Sequence, residues 1–413
     1  MRTNGNLPAY RSELPVAVDA MGGDAGFEVQ VEGAIAAYKE FGSRSILVGP
    51  EEQLRAKLGS LGASHLPIGV RHAADTIGME ESPTRAVVRK PNSSLCEAYR
   101  LVEAGEASSI ISTGNSGAMM AAGIMICGTM PAIKRPAIAT LMPVAGDSLP
   151  NVVLDVGANV ECQAHNLVQF ATMGAIYFNC LFDVEKPPVA LLSNGTEDTK
   201  GTDAMRAAAM VLSRLENINY IGYVEGRDIP RDRAKVIVCD GLVGNIVLKA
   251  MEGAVRLIFD QIMYEGKKGL LRKVGLGLSR GTFHDVFLGQ FDYSSHGGAP
   301  LLGLKKVAIV LHGASGSRAV KNAIRVADNF VVSGMIEKIA KEIGQLEDSQ
   351  LQPFDNIFSG VMADGEGFSG AAKRAKVTTR LEEELPTEKD KGEESESSQK
   401  MTSGTEDAEL KIG

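Results

Sequence analysis

Six times along the chain one pattern returns: an apolar, β-branched run, a loop of Gly, Asp, Asn or Ser, and then a segment with helical spacing. PVAVDAMGGD (15–24) runs into Val29, Ala36 and Ala37, and SSIISTGNSGA (108–118) into small residues up to Cys127. NVVLDVGAN (151–159) precedes Leu167, Phe170, Gly174 and Tyr177, which share a helix face. VALLSNGTEDTKG (189–201), KVIVCDGLVGN (235–245) and KKVAIVLHGASGS (305–317) lead into helices expected near 202–215, 246–263 and 318–340. Apolar strands alternating with helices predict an α/β fold: a doubly wound, mainly parallel sheet with helices on both faces. Right-handed crossovers then bring the strand carboxyl ends to one edge, where open α/β sheets bind ligands.

The 413 residues divide into a loose leader (1–14), a folded body (15–346) with a basic amphipathic protrusion near 264–290, and an acidic tail (347–413). Residues 381–413 hold eleven acids and four bases, nearly the whole formal charge of −8, so the tail reads as solvated and the body as close to neutral. A near-neutral body argues against nucleic acid as a partner. The five cysteines (Cys96, Cys127, Cys162, Cys180, Cys239) form no CxxC, which fits a reducing, cytoplasmic home better than a disulfide framework. The polar N-terminus shows no export signal. Residues 107–133 carry no charge, but TGNSG interrupts them and leaves apolar pieces shorter than the ~20 residues a membrane span needs.

Glycine-rich loops opening helices present free N–H groups and a positive helix end, a setting for an anion. Thr113-Gly114-Asn115-Ser116-Gly117 is the sharpest example, with Asn115 or Ser116 as N-cap. No GxxxxGK[ST] is present, no GxGxxG follows a strand, and GxSxG and HExxH are absent. Asp19, Asp24, Asp155 and Asp240 stand at strand ends, where Asp more often caps a helix than binds a metal, so no metal or organic cofactor is expected. Arg135, held by Pro136, and Lys200, inside a strand-end loop, are the sharper cationic candidates, and His312 opens a strand-end HGASG. Residues 266–281 interleave Lys267, Lys268, Arg272, Lys273 and Arg280 with Leu270, Leu271, Val274, Leu276 and Leu278, suited to an anionic membrane surface or an acidic partner.

DAMGGD (19–24), RKPNSSL (89–95), STGNSGA (112–118), KRPAIA (134–139), DVGAN (155–159), CDGLVGNIVLK (239–249), GGAPLLGL (297–304) and HGAS (312–315) occur in this order. Together they closely resemble the phosphate acyltransferase family of bacterial glycerolipid synthesis, the acyl-[acyl-carrier-protein]:phosphate transacylases, over about residues 15–335. The resemblance implies a fold similar to the isocitrate dehydrogenase and phosphotransacetylase group. It implies transfer of a long-chain acyl group from acyl carrier protein to inorganic phosphate, giving acyl phosphate for a membrane glycerol-3-phosphate acyltransferase and so for phospholipid synthesis. It also implies a homodimer attached peripherally to the cytoplasmic membrane. The chain departs from the family pattern at Ser116, where Thr is usual, at LLSNGTE (191–197), and at Tyr223, where Asn is frequent.

On this reading Asn115, Ser116 and Gly117 cradle phosphate with Arg135 or Lys200, beside Gly22, Gly23, Asp24, Thr113, Gly114, Gly297 and Gly298 in neighbouring loops. Asp155, Asn159, Asp240 and Asn245 order the loops around it, and His312 donates to the carbonyl or the leaving thiolate. Asn115, Lys200, His312, Asp240 and Asn245 are the catalytic candidates. Met119, Met120, Ile124 and Met125 would line an acyl channel, although a Met-rich helix is more often plain core. The competing readings are an NAD(P)- and metal-dependent oxidoreductase of the isocitrate dehydrogenase-like group and a non-catalytic membrane scaffold.

Overall fold

The computed structural model describes residues 11–146, 148–279, 281 and 297–346, which lie in one unit spanning Met1–Ser349. The first half runs β1 (Val16–Asp19), α1 (Phe27–Phe41), β2 (Ser45–Gly49), α2 (Glu51–Ser60), β3 (Ile68–His72), α3 (Pro83–Arg89), α4 (Ser94–Glu103), β4 (Ser109–Ser112) and α5 (Ser116–Ile126). It continues with β5 (Ala137–Met142), β6 (Asn151–Leu154), α6 (Ala164–Phe182), β7 (Pro188–Leu192), α7 (Asp203–Leu212), β8 (Asn219–Val224) and β9 (Val236–Val238). Then come α8 (Gly241–Gly266), α9 (Leu270–Leu278), β10 (Ala299–Leu302), β11 (Val307–Val310), α10 (Ser317–Val332) and α11 (Met335–Leu346). All six expected units form. The helix expected at 318–340 is broken at Gly334, whose φ of +65° ends the first segment and starts a second.

One sheet of eleven strands, ordered β3-β2-β1-β4-β11-β10-β5-β6-β9-β7-β8, carries the fold. Strands β1, β4, β6, β9 and β11 are buried along their whole length, as expected of strands covered on both faces. Strands β3, β2, β1, β4 and β11 are mutually parallel. So are β6, β9, β7 and β8. Between the two sets, β10 is antiparallel to β11 and to β5, and β5 is antiparallel to β6. Three successive reversals make the second set run opposite to the first. The expectation that all strand carboxyl ends share one edge is therefore corrected: each parallel set delivers its loops to its own edge.

Among the described residues no helix is long and apolar enough to cross a membrane, and residues 107–133 supply β4 and α5 instead. Met119 is core, whereas Ile124 and Met125 are exposed. The part of the leader that is described is anchored, since Ser12 is buried and its N–H donates to Asp328. The tail at 347–413 and the protrusion beyond 281 lie outside the described residues.

Asp328 is 1% exposed, and burial pushes its carboxyl from the ordinary 3.8 up to about 6, against the Ser43 hydroxyl and Ser12 N–H that pull it down. Because the folded value lies above the unfolded one, the unfolded chain ionises first. The group's contribution to stability is complete below the unfolded value and is lost as pH rises through the folded one. Between about pH 3.5 and pH 7 the natural chain should lose about 3 kcal/mol more stability than Asp328→Asn. Urea unfolding of both proteins across that range measures the difference.

Candidate functional site

At the first edge the loops after β1, β4 and β11 open α1, α5 and α10, and they grip one another. The Thr113 hydroxyl donates to Gly22 O (2.6 Å) and accepts from Gln30 Nε2 (2.8 Å), while Asp24 N donates to Gly313 O (2.9 Å). A Cβ at Gly23, whose φ is +82°, would lie 2.7 Å from Thr113 Oγ1 and 2.8 Å from Gly313 O, so only glycine allows this approach. Below them Ser112 Oγ donates to Asp19 Oδ2 (2.7 Å) and accepts from Gly114 N (3.0 Å). Burial pushes the Asp19 carboxyl up, partly offset by hydrogen bonds from Ser94 and Ser112.

Asn115 is the N-cap of α5. Its Oδ1 accepts from Ala118 N (3.0 Å), and its Nδ2 donates to Met79 O and Glu81 O (3.0 and 3.1 Å), so both ends of the amide are committed. Gly117 lies under Pro83, while Ser116 is exposed. His312 is also exposed; its Nδ1 accepts from Ala314 N (3.1 Å), which leaves Nε2 as the outward-facing nitrogen. Gly297 and Gly298, both with positive φ, sit where β10 begins beside the end of β11 and serve that turn.

At the second edge the loops after β6, β7 and β9 open α6, α7 and α8, and Asp155 ties the loop after β6 to the start of β5 and to the start of α8. It is fully buried. Its Oδ1 accepts from the N–H groups of Ile138, Gly157 and Ala158 (3.1, 3.2 and 2.9 Å), and its Oδ2 from Asn159 N and Nδ2 (2.7 and 2.8 Å). Burial raises its pKa, against the pull of these donors. Asn159 extends the network by donating from Nδ2 to Pro136 O (2.8 Å) and accepting at its carbonyl from Gly241 N (2.7 Å). Asp240 caps α8 by accepting from Val243 N (2.8 Å), which turns half-buried Asn245, on the first turns of α8, towards Gly157.

Two cations stand at this edge. Arg135 is exposed just before β5 and donates from Nη1 to Glu161 O (2.9 Å), and Lys200 is exposed in the loop before α7. Among the described residues neither is paired with a carboxylate. The sequence reading placed them beside Asn115–Gly117, but the antiparallel β5–β6 step puts them with Asp155, Asn159, Asp240 and Asn245 at the other end of the strands. His312, Gly22, Gly23, Asp24, Gly297 and Gly298 stay with the first edge. Gly241 and Gly244 were missed as individual site residues, although their spacing of three in CDGLVGN marks one helix face. A Cβ on Gly241 would lie 2.7 Å from Asn159 O, and one on Gly244 would overlap the Asp155 carbonyl oxygen.

All five thiols are held as thiols. Burial raises Cys96, Cys180 and Cys239 and pushes Cys127 and Cys162 up to about 12. None is primed as a nucleophile near neutral pH. No group of three or more His, Cys, Asp or Glu side chains among the described residues is placed to hold a metal ion.

Comparison with known proteins now adds the lineage. A profile of the family described as "Fatty acid synthesis protein" matches residues 14–338. The phosphate acyltransferase of Trichlorobacter lovleyi is 44% identical over 333 residues, covering 80% of this chain and 95% of that protein. That of Geobacter sulfurreducens is 43% identical over 345 residues, covering 83% and 98%. Among solved structures, a phosphotransacetylase from Streptococcus pyogenes aligns with a TM-score of 0.53 at 19% identity, over 78% of this chain and 96% of that one. The EutD phosphotransacetylase from Staphylococcus aureus aligns at 0.50 and 16%, over 77% and 94%, and both likenesses speak to the fold alone. The profile match and the two close relatives agree with the ordered motifs: this chain belongs to the fatty acid synthesis protein family that includes the bacterial phosphate acyltransferases.

Proposed function

We propose that this phosphate acyltransferase-family chain takes a long-chain acyl group from the thioester of acyl carrier protein and places it on inorganic phosphate held at the Arg135–Lys200 edge. Family membership supports an acyltransferase with phosphate as acceptor. The observation that carries the site is two cations without carboxylate partners among the described residues, at the edge where three helices begin and where Asp155 locks the loop after β6. Near neutral pH phosphate is already an oxyanion nucleophile, so the protein has no need to create one from Ser or Cys.

In the proposed step a phosphate oxygen attacks the thioester carbonyl carbon, a tetrahedral oxyanion forms, the C–S bond breaks, and the carrier thiolate leaves with the electron pair. Lys200 and Arg135 hold the phosphate, and Asn245, with the N–H groups opening α8, faces the developing oxyanion. Orientation supplies ~7–11 kcal/mol of barrier reduction in well-arranged systems. One oxyanion donor is typically worth ~2.7–4 kcal/mol. Such terms suffice for acyl transfer from a thioester without a covalent enzyme intermediate. Purified protein incubated with palmitoyl-carrier protein and labelled phosphate should form lipid-extractable labelled palmitoyl phosphate, from which hydroxylamine takes the acyl group as palmitoyl hydroxamate and frees the label as inorganic phosphate. Absence of labelled palmitoyl phosphate would remove the assignment.

The same reading makes the chain a homodimer at the cytoplasmic face of the membrane, passing acyl phosphate to a membrane glycerol-3-phosphate acyltransferase. In its support, the 26-residue α8 leaves Leu257 and Ile258 exposed, and α9 leaves Leu271 and Leu278 89% and 84% exposed among Lys267, Lys268, Arg272 and Lys273. Apolar side chains among bases suit an anionic bilayer surface. Leu271→Glu with Leu278→Glu should cut co-sedimentation with anionic vesicles severalfold while transfer to phosphate in solution persists. Unchanged sedimentation would remove the membrane contact.

A further inference from the structure

We infer that Gln169 is a positioning residue for phosphate, acting through Arg135 by holding the turn that delivers it. This rests on the assignment of Arg135 to phosphate. The connection from α5 to β5 contains Met130-Pro131-Ala132-Ile133, closed by Ile133 N donating to Met130 O (3.1 Å). Proline second and a φ of +70° third are the features of a type II turn, whose third place ordinarily takes Gly or Asn. Here that place holds Ala132, in a conformation that residues bearing a Cβ rarely adopt.

What holds Ala132 there comes from another element. Gln169, 2% exposed on α6, donates from Nε2 to Ala132 O at 2.9 Å. A carbonyl can only accept, so this bond fixes which end of the amide faces the turn, and the other end, Oε1, is buried with no partner among the described residues. A buried amide that satisfies the turn and leaves its own oxygen unbonded is poorly explained as a device for stability. Beyond the turn, Pro136 O is held by Asn159, and Arg135 Nη1 reaches Glu161 O. The arginine is thus suspended between Ala132, fixed by Gln169, and Pro136, fixed by the Asp155–Asn159 network. Release of the first anchor lets the turn relax and moves the guanidinium off the phosphate position.

The test compares steady-state kinetics and thermal melting of Gln169→Met, Ala132→Gly, their combination, Arg135→Ala, and Arg135→Ala with Gln169→Met. Gln169→Met keeps the length, loses the donor and removes the unbonded oxygen, so melting should be unchanged. We expect the phosphate KM to rise about tenfold, with kcat and the acyl-donor KM within about twofold. Ala132→Gly, close to the natural chain alone, should bring the combined variant to within about threefold, because glycine holds the turn unaided. In the Arg135→Ala background Gln169→Met should add nothing, since both changes remove one function. A phosphate KM raised by Arg135→Ala but untouched by Gln169→Met overturns this inference alone, and so does a rise that Ala132→Gly leaves uncorrected. A phosphate KM untouched by Arg135→Ala overturns the phosphate assignment and this inference with it.

Discussion

Asp155→Ala is expected to abolish transfer to phosphate and to lower the unfolding free energy by about 4 kcal/mol or more. The carboxylate accepts five hydrogen bonds, from four main-chain N–H groups and the Asn159 amide, and is itself fully buried. Each buried donor left without an acceptor costs ~1–3 kcal/mol, less where water reaches it. The loss spreads, because Asn159 links this network to Pro136 on one side and to Gly241 at the start of α8 on the other. Asn at 155 is expected to be nearly as damaging, since its NH2 would face N–H groups that need an acceptor. Urea unfolding with parallel rate measurements gives both quantities, and natural stability in the alanine variant would show that the loops are held by something other than this carboxylate.

Gly244→Ala is expected to reduce transfer by at least about 100-fold while leaving helix content near that of the natural chain. Its Cβ would overlap the Asp155 carbonyl oxygen and stand 3.0 Å from Cys239 Sγ. The oxygen is main chain, so no side-chain rotation relieves the overlap. The first turn of α8 must back away, taking Asn245 with it. A displacement on the order of 1 Å at reacting groups is enough for a hundredfold loss. Gly253→Ala on the same helix is the control. Nothing lies within 4 Å of its Cβ position, and helix propensity favours alanine there by ~1 kcal/mol. Circular dichroism and the transfer rate separate the two variants, and equal rates would mean that close approach at Gly244 is not what places α8.

The six strand–loop–helix units were legible because each carries its own local signals: a β-branched run that must be buried, glycine and polar residues that must turn, and a helical face after them. Strand direction was not legible. It depends on β5 and β10, two short apolar runs without a following helix, whose antiparallel pairing leaves no mark in their own periodicity. Reading the loops as one crevice placed Arg135 and Lys200 beside Asn115 when pairing places them at the edge that carries Asp155. The role of Asn115 as N-cap followed from its position before a small-residue helix, but its bonds to Met79 O and Glu81 O arise from a segment more than thirty residues away. Gln30 and Gln169 show the same limit. Each bonds a partner distant in sequence, and a lone glutamine on a helix face carries no signal of what it will meet.

The most direct test of where the acceptor sits is anomalous diffraction from crystals equilibrated with arsenate, a heavier analogue of phosphate. The account predicts an arsenic peak within hydrogen-bonding reach of Lys200 and Arg135, beside Asn245. A peak confined to the Asn115–Gly117 rim, with the Lys200 edge empty at saturating arsenate, would contradict it.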